Sequence, residues 1–123
     1  MDEERPSFTA EGALVMRAIH QTLDGEPKIL DDPISVQLVD VESDVYKSRL
    51  ELLGHLPDPT RLRLKATFVM CSRFVEDCLA ESVGESVRQY VLLGAGPETF
   101  PYRQPPWANS LRIFEVDHPA TQQ

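Results

Sequence analysis

Apolar residues recur every three or four positions through the first two thirds of the chain, which is the spacing of one face of an α-helix. The pattern predicts four helices, at residues 10–23, 33–40, 45–53 and 60–83. Glycine or proline lies near the ends of these segments, as is usual where helices begin and stop. We therefore interpret residues 1–84 as a helical region.

The pattern changes beyond the last predicted helix. Residues 90–93 are apolar without alternation, which is typical of a strand covered on both faces in a parallel sheet. Gly94, Ala95 and Gly96 follow at once, and we call them the glycine turn. Glycine has no β-carbon, so it allows a tight turn and the close approach of a ligand to the backbone. Residues 112–116 predict a second strand, and the prolines between the strands allow a short helix at most.

An acidic residue follows the second strand at an informative distance. Asp117 comes 23 positions after Gly94. Nucleotide-binding βαβ units place a ribose-binding acid about 20 residues after their glycine turn. A carboxylate suits this role because it accepts hydrogen bonds from both ribose hydroxyls. Residues 85–123 thus predict the first β-α-β part of a cofactor-binding domain.

Composition and charge narrow the possible partners. The chain has 123 residues, 41% of them hydrophobic, which suffices for one small domain. Its net charge of −8 argues against nucleic acid as a partner. No apolar run approaches the roughly 20 residues of a membrane span. Residues 1–8 are polar and acidic, unlike a secretory signal, so we expect a cytoplasmic protein without a membrane partner.

Four other side chains that could carry chemistry have simpler structural explanations. Cys71 and Cys78 lie on the apolar face of the fourth predicted helix, so we expect buried, reduced thiols. No Cys or His cluster has zinc-ligand spacing, and we predict no metal site. Asp31 and Asp32 could form a catalytic carboxylate pair. However, an acid before Pro33 is explained by helix capping, and no catalytic residue is assigned.

Several segments resemble those of a known family in sequence and in order. They are SFTAEGALVMRAI, KILDDP, CSRFVEDCLAESV, RQYVLLGAGPETFPYR and RIFEVDHPATQ. Together they resemble the N-terminal part of the leucine carboxyl methyltransferase-like family of S-adenosylmethionine-dependent methyltransferases, and its bacterial branch most. The resemblance implies an α/β fold. It is a truncated class I methyltransferase (Rossmann-like) fold, in which N-terminal helices precede the first two parallel strands.

The resemblance also implies an activity and a set of site residues. The activity is methyl transfer from S-adenosyl-L-methionine to an oxygen or nitrogen of an unknown acceptor. The glycine turn, Gly94 to Gly96 with Ala95 between, would approach the methionine end and the ribose of the cofactor. Asp117 would bind the ribose hydroxyls, with Glu115 as a neighbour in the strand. Arg73 would lie near the cofactor carboxylate.

The chain departs from the family pattern in three places. Cys71 stands where the family commonly has an arginine that contacts the cofactor carboxylate, and losing such a bond typically costs about 1.5–3 kcal/mol. Pro97-Glu98-Thr99 replaces Leu-Asp-Thr, which keeps an acid but stiffens the turn. The sequence stops at Gln123, whereas the family continues through further strands and the substrate pocket. We therefore expect an N-terminal fragment of a methyltransferase.

Two other functions stay open at the level of sequence. A nicotinamide-dependent oxidoreductase would share the strand and glycine turn, but its fingerprint needs a third glycine where this chain has Thr99. An inactive remnant or interaction module is the other alternative, because half of the expected sheet is missing and Cys71 replaces an arginine. The sequence indicates neither the methyl acceptor nor the oligomeric state.

Overall fold

The fold consists of four helices followed by two parallel strands, in a computed structural model that describes residues 8–119. The elements, in chain order, are α1 (Phe8–Leu23), α2 (Pro33–Leu38), α3 (Asp44–His55), α4 (Asp58–Gly84), β1 (Gln89–Leu93) and β2 (Arg112–Val116). Two short 3-10 turns, Phe100–Tyr102 and Pro106–Ala108, connect the strands. The predicted helices and strands are confirmed. The acidic N-terminus and the end of the RIFEVDHPATQ segment lie outside the described residues.

Side-chain caps fix where two of the helices begin. The carboxylate of Asp32 accepts a hydrogen bond from the backbone N–H of Ser35 at 3.1 Å, and Pro33 occupies the first turn of α2. The hydroxyl of Ser43 accepts one from the N–H of Tyr46 at the start of α3. Each cap satisfies an N–H that has no partner within the helix. The interpretation of Asp32 as a capping residue is confirmed.

The larger apolar core surrounds α1. Its buried members come from α1, the end of α2 and α3, and they are Leu14, Val15, Met16, Ala18, Ile19, Val39 and Leu53. Fully burying one such side chain stabilises the fold by about 1.5–3 kcal/mol. Since most of these residues belong to α1, packing around this helix holds the N-terminal region together.

A second core joins α4 to one face of the sheet. Leu79 of α4 packs with Phe100, Ala108 and Leu111 from the connection between the strands. The ring of Phe100 meets that of Tyr90 edge-on, with centroids 6.1 Å apart. Tyr90 of β1 and Ile113 of β2 also pack against this core, which therefore holds the first half of each strand next to α4.

The opposite face of the sheet is exposed, contrary to the prediction of a strand covered on both faces. Val91 and Leu93 of β1 lie beside Phe114 and Val116 of β2, and Leu93 is 79% exposed. Side chains alternate between the two faces of a strand. Because α4 and the 3-10 turns lie on one side only, the other apolar face has no cover within the described residues.

The prediction of buried cysteines is also wrong. Cys71 and Cys78 are both exposed, whereas α4 buries Val69 and Leu79. Apolar residues occur on more than one face of α4, and the neighbouring elements cover a different face from the one with the two thiols. Although α4 has 27 residues, no helix of the described part of the chain has the length and apolar character of a membrane span.

A charged cluster joins the end of α1 to α4. Asp24 pairs with Lys65 of α4, and the Nδ1 of His20 lies 2.6 Å from its carboxylate. The Nε2 of His20 accepts a hydrogen bond from the N–H of Leu30 at 3.4 Å. Burial alone would raise the pKa of Asp24. Hydrogen bonds and attraction from Lys65 and His20 outweigh burial and lower it.

We predict that Asp24→Asn destabilises the protein at pH 7 by about 1 kcal/mol, because a hydrogen-bonded charge is lost. Because the pKa of Asp24 is lower in the folded state, its stabilising contribution is fully present above its pKa in the unfolded chain, about 3.9. The contribution is lost as the pH falls through the folded-state pKa. Urea denaturation at pH 7 and at acid pH should show the difference shrinking in acid. Asp58→Asn, at an exposed pair with Arg61, is the control and should change stability by less than about 0.5 kcal/mol.

Candidate functional site

The glycine turn lies at the carboxyl ends of both strands. Gly94 and Gly96 have φ angles of 64° and 57°, in the left-handed region that side chains other than glycine disfavour. The N–H of Gly94 donates to the carbonyl of Val116 at 2.7 Å, so the turn continues directly from the β1–β2 pair. The backbone thus reverses at the edge where parallel α/β sheets bind their ligands.

Asp117 lies against this turn. One of its carboxylate oxygens accepts a hydrogen bond from the N–H of Gly96 at 2.5 Å, and the other accepts one from the N–H of His118 at 2.6 Å. A carboxylate offers about four acceptor positions, so these two bonds leave capacity for further donors. The structure therefore brings together the acid and the glycines that the sequence singled out.

A cavity of about 360 Å³ opens beside the turn. The first half of α1 contributes Ala10 and Ala13 to its wall, and the middle of α4 contributes Phe68 and Ser72. All three residues of the glycine turn line it as well. Volumes of this size are usual for small-molecule sites. The cavity therefore has room for a ligand beside the backbone of the turn.

Two charged side chains line this cavity, Arg17 and Glu98. The Arg17 side chain is only 6% exposed, and that of Glu98 is 23% exposed. Arg17 donates to Glu98 at 3.2 Å and to the carbonyl of Pro97 at 2.8 Å. Its Nε has no hydrogen-bond partner in the described part of the chain. The site thus offers one cation and one anion next to the glycine turn.

The sequence did not single out Arg17 as a site residue. The available signal was a charged residue within an apolar stretch of α1, flanked by Met16 and Ala18. Glu98 was noted only because it retains an acid after the turn. The two residues are 81 positions apart, and their pairing depends on how α1 packs against the turn.

Arg73 and Glu115 lie away from this cavity. Arg73 donates to Asp77 at 2.8 Å and to the carbonyl of Ile29 at 3.1 Å, and it lines a separate cavity of about 340 Å³. Glu115 lies opposite Leu92 in the sheet and accepts from the hydroxyl of Tyr102 at 3.4 Å. The structure does not bring either residue to the wall beside the glycine turn.

A neighbouring cavity of about 220 Å³ shares Cys71, Ser72 and Glu98 with the cavity at the turn. It extends along α4 towards Leu92 and Tyr90. Burial, together with the charges of Glu98 and a second acid on α4, raises the pKa of Tyr90. The two cavities are therefore neighbours, and Cys71 lines both of them. Within residues 8–119, no group of three or more His, Cys, Asp or Glu residues could hold a metal ion.

Comparison with known proteins assigns the chain to a family. A family model described as leucine carboxyl methyltransferase matches residues 10–123, which is nearly the whole sequence. The chain belongs to the leucine carboxyl methyltransferase family. The resemblance seen in the sequence is thereby confirmed.

Individual curated relatives match the chain over only part of their own length. YktD of Bacillus subtilis (strain 168) is 32% identical over an alignment 141 residues long. The alignment covers 100% of this chain and 46% of that protein. A protein of Mycobacterium sp. (strain KMS) is 31% identical over 93 residues, which cover 72% of this chain and 35% of that protein. Both carry provisional names as S-adenosyl-L-methionine-dependent methyltransferases. The chain spans less than half the length of these relatives. No solved structure matches it significantly.

We predict that Gly94→Ala and Gly96→Ala each destabilise the fold by about 1–2 kcal/mol, because both residues have positive φ. The effect should be at least as large at Gly96, where an added β-carbon would lie 3.4 Å from the β-carbon of Ala10. Chemical denaturation measures the difference. Gly54→Ala, in α3 and with open space around the new methyl, is the control and should be neutral or stabilising. Equal changes in the free energy of unfolding for the three glycine variants would contradict the assigned turn geometry.

Proposed function

We propose that this chain binds S-adenosyl-L-methionine at the glycine turn and forms the cofactor-binding N-terminal half of a methyltransferase. The observation that carries the proposal is the hydrogen bond from Gly96 to Asp117. A carboxylate with spare acceptor capacity lies beside the half-buried Gly96, at the carboxyl ends of two parallel strands. If the ribose hydroxyls of the cofactor donate to Asp117, the methionine part attached to that ribose would lie over the turn.

The charges beside the turn suit the methionine part of this cofactor. A zwitterionic amino acid group needs a cation for its carboxylate and an anion for its ammonium group. Arg17 and Glu98 supply one of each on the wall of the cavity that the glycine turn lines. The family commonly has an arginine where this chain has Cys71, so Arg17 would be the cation available to the carboxylate. We therefore expect binding that is weaker than is usual in the family.

The same turn is poorly suited to a dinucleotide. Dinucleotide sites place the pyrophosphate at the N-terminus of a helix that follows the glycines. Here the residues after Gly96 form only a 3-10 turn, Phe100–Tyr102. Thr99 stands at the position of the third glycine, is fully buried, and donates its hydroxyl to Asp32 at 2.8 Å. These features favour a nucleoside without phosphates over a nicotinamide cofactor.

The chemistry of methyl transfer agrees with the residues present. The cofactor supplies a sulfonium whose methyl group is already activated, so the protein contributes mainly orientation and the exclusion of water. We assign no catalytic acid or base on this chain. The methyl acceptor, through an oxygen or a nitrogen, is left unassigned.

The uncovered side of the sheet supports a role as part of a larger α/β domain. Parallel sheets normally have both faces covered, yet Val91, Leu93, Phe114 and Val116 form an exposed apolar face. In the proposed arrangement, residues 1–84 form the helical region and residues 85–123 begin a class I, Rossmann-like sheet. The same exposed face also favours the second candidate function, an interaction module that has lost the methyltransferase activity.

We predict that the wild-type chain binds S-adenosyl-L-methionine in isothermal titration calorimetry and that Asp117→Asn weakens binding by about tenfold or more. The reason is that a charge-assisted hydrogen bond contributes about 1.5–3 kcal/mol. Titration with NAD⁺ under the same conditions should release no heat.

Asp44→Asn, at an exposed acid in the first turn of α3, is the matched control and should bind like the wild type. Circular dichroism of each variant checks that the helices are intact. Heat with NAD⁺ and none with S-adenosyl-L-methionine would reverse the ranking of the two cofactors. A folded chain that binds neither cofactor but captures a defined polypeptide would favour the interaction module.

A further inference from the structure

The carboxylate of Asp32 does more than cap α2. It is 1% exposed, and its Oδ2 accepts a hydrogen bond from the hydroxyl of Thr99 at 2.8 Å. Its Oδ1 lies 3.2 Å from the Nε of Arg103, and its Oδ2 lies 3.7 Å from the Nε of Arg17. A cap requires only the bond to Ser35. The other three contacts all reach residues that surround the glycine turn or the segment after it.

The partners of Asp32 fix the backbone directly after the turn. Arg17 donates to the carbonyl of Pro97, the residue that follows Gly96. It also donates to Glu98, whose Oε1 accepts the N–H of Thr99 at 2.7 Å. Because Thr99 is bonded to Asp32 as well, the three residues after the turn are held by one connected network.

The network also reaches α4 through Arg103. This arginine donates to Glu76 of α4, and its Nε donates to the hydroxyl of Thr99 at 3.0 Å. Burial alone would lower the pKa of Arg103, but Glu76, Asp32 and Glu98 outweigh burial and raise it. Because Arg103 stays charged, it pairs with the buried carboxylate of Asp32. Burying a carboxylate without such a partner would be strongly unfavourable.

We propose that Asp32 is a positioning residue for the cofactor site, an inference that rests on the proposed function. It does not line the cavity beside the turn. It acts through Arg17 and Thr99, which hold the exit of the glycine turn in the geometry in which Gly96 meets Asp117. The segment before α2 is thereby coupled to a turn more than sixty positions later in the chain.

The test compares Asp32→Asn with Asp31→Asn, the neighbouring exposed acid. Asparagine caps helices about as well as aspartate, so the first variant keeps the cap but removes the charge that faces both arginines. Hydrogen exchange of the Gly94 and Gly96 amides, both hydrogen-bonded in the wild type, reports on the turn without any cofactor. We expect these amides to exchange about tenfold faster in Asp32→Asn, relative to amides of α3, and S-adenosyl-L-methionine binding to weaken by about tenfold.

Thr99→Val provides a milder variant should Asp32→Asn fail to fold. It removes one hydroxyl from the network and should produce a smaller change in the same direction, about threefold for both readouts. Asp31→Asn should leave both readouts unchanged. Faster exchange by one common factor across the turn and α3 would show that Asp32 contributes only to global stability, and would overturn the proposal.

Failure of the proposed function would look different. A wild-type chain that binds no S-adenosyl-L-methionine would refute the function, while the exchange of the turn amides would still decide the role of Asp32. Faster exchange confined to the turn with unaltered cofactor affinity would overturn the positioning role.

Discussion

The packing of the helical region against the segment after the glycine turn depends on the hydrogen bonds and ion pairs of the buried Asp32 carboxylate. Burying a charge is unfavourable unless it is paired and hydrogen-bonded. Asp32 meets this requirement with Ser35, Thr99 and two arginines, which come from α1, α2 and the connection between the strands. A single side chain thus ties the helical region to the segment that leaves the glycine turn.

The site at the turn follows from this constraint together with the parallel strand pair. Hydrogen bonding between β1 and β2 brings Val116 alongside Gly94, which sets Asp117 next to Gly96. The packing of α1 and α4 then adds the walls of a cavity with one cation and one anion. The chain belongs to the leucine carboxyl methyltransferase family, and one apolar face of its sheet is exposed within the described residues.

Local sequence predicted the features that depend on neighbours in the chain. Helical periodicity gave the helices, Asp32 before Pro33 gave a cap, and the distance from Gly94 to Asp117 gave the pairing of acid and turn. Features that depend on distant packing were not predictable. The prediction of the buried face of α4 was wrong because apolar residues lie on more than one face of that helix. The contact of Arg17 with Glu98 could not be predicted because it spans most of the chain. Local bonds to Asp77 keep Arg73 in a different cavity.

The most direct test of the central claim is to map the ligand site in solution. Amide resonances of the chain would be recorded by NMR during titration with S-adenosyl-L-methionine. The account predicts that the largest shifts occur at residues 94–96, at Glu98 and at residues 117–118, with smaller ones where α1 and α4 face the turn. Shifts concentrated at the separate cavity that Arg73 lines, with the glycine amides unmoved, would contradict it.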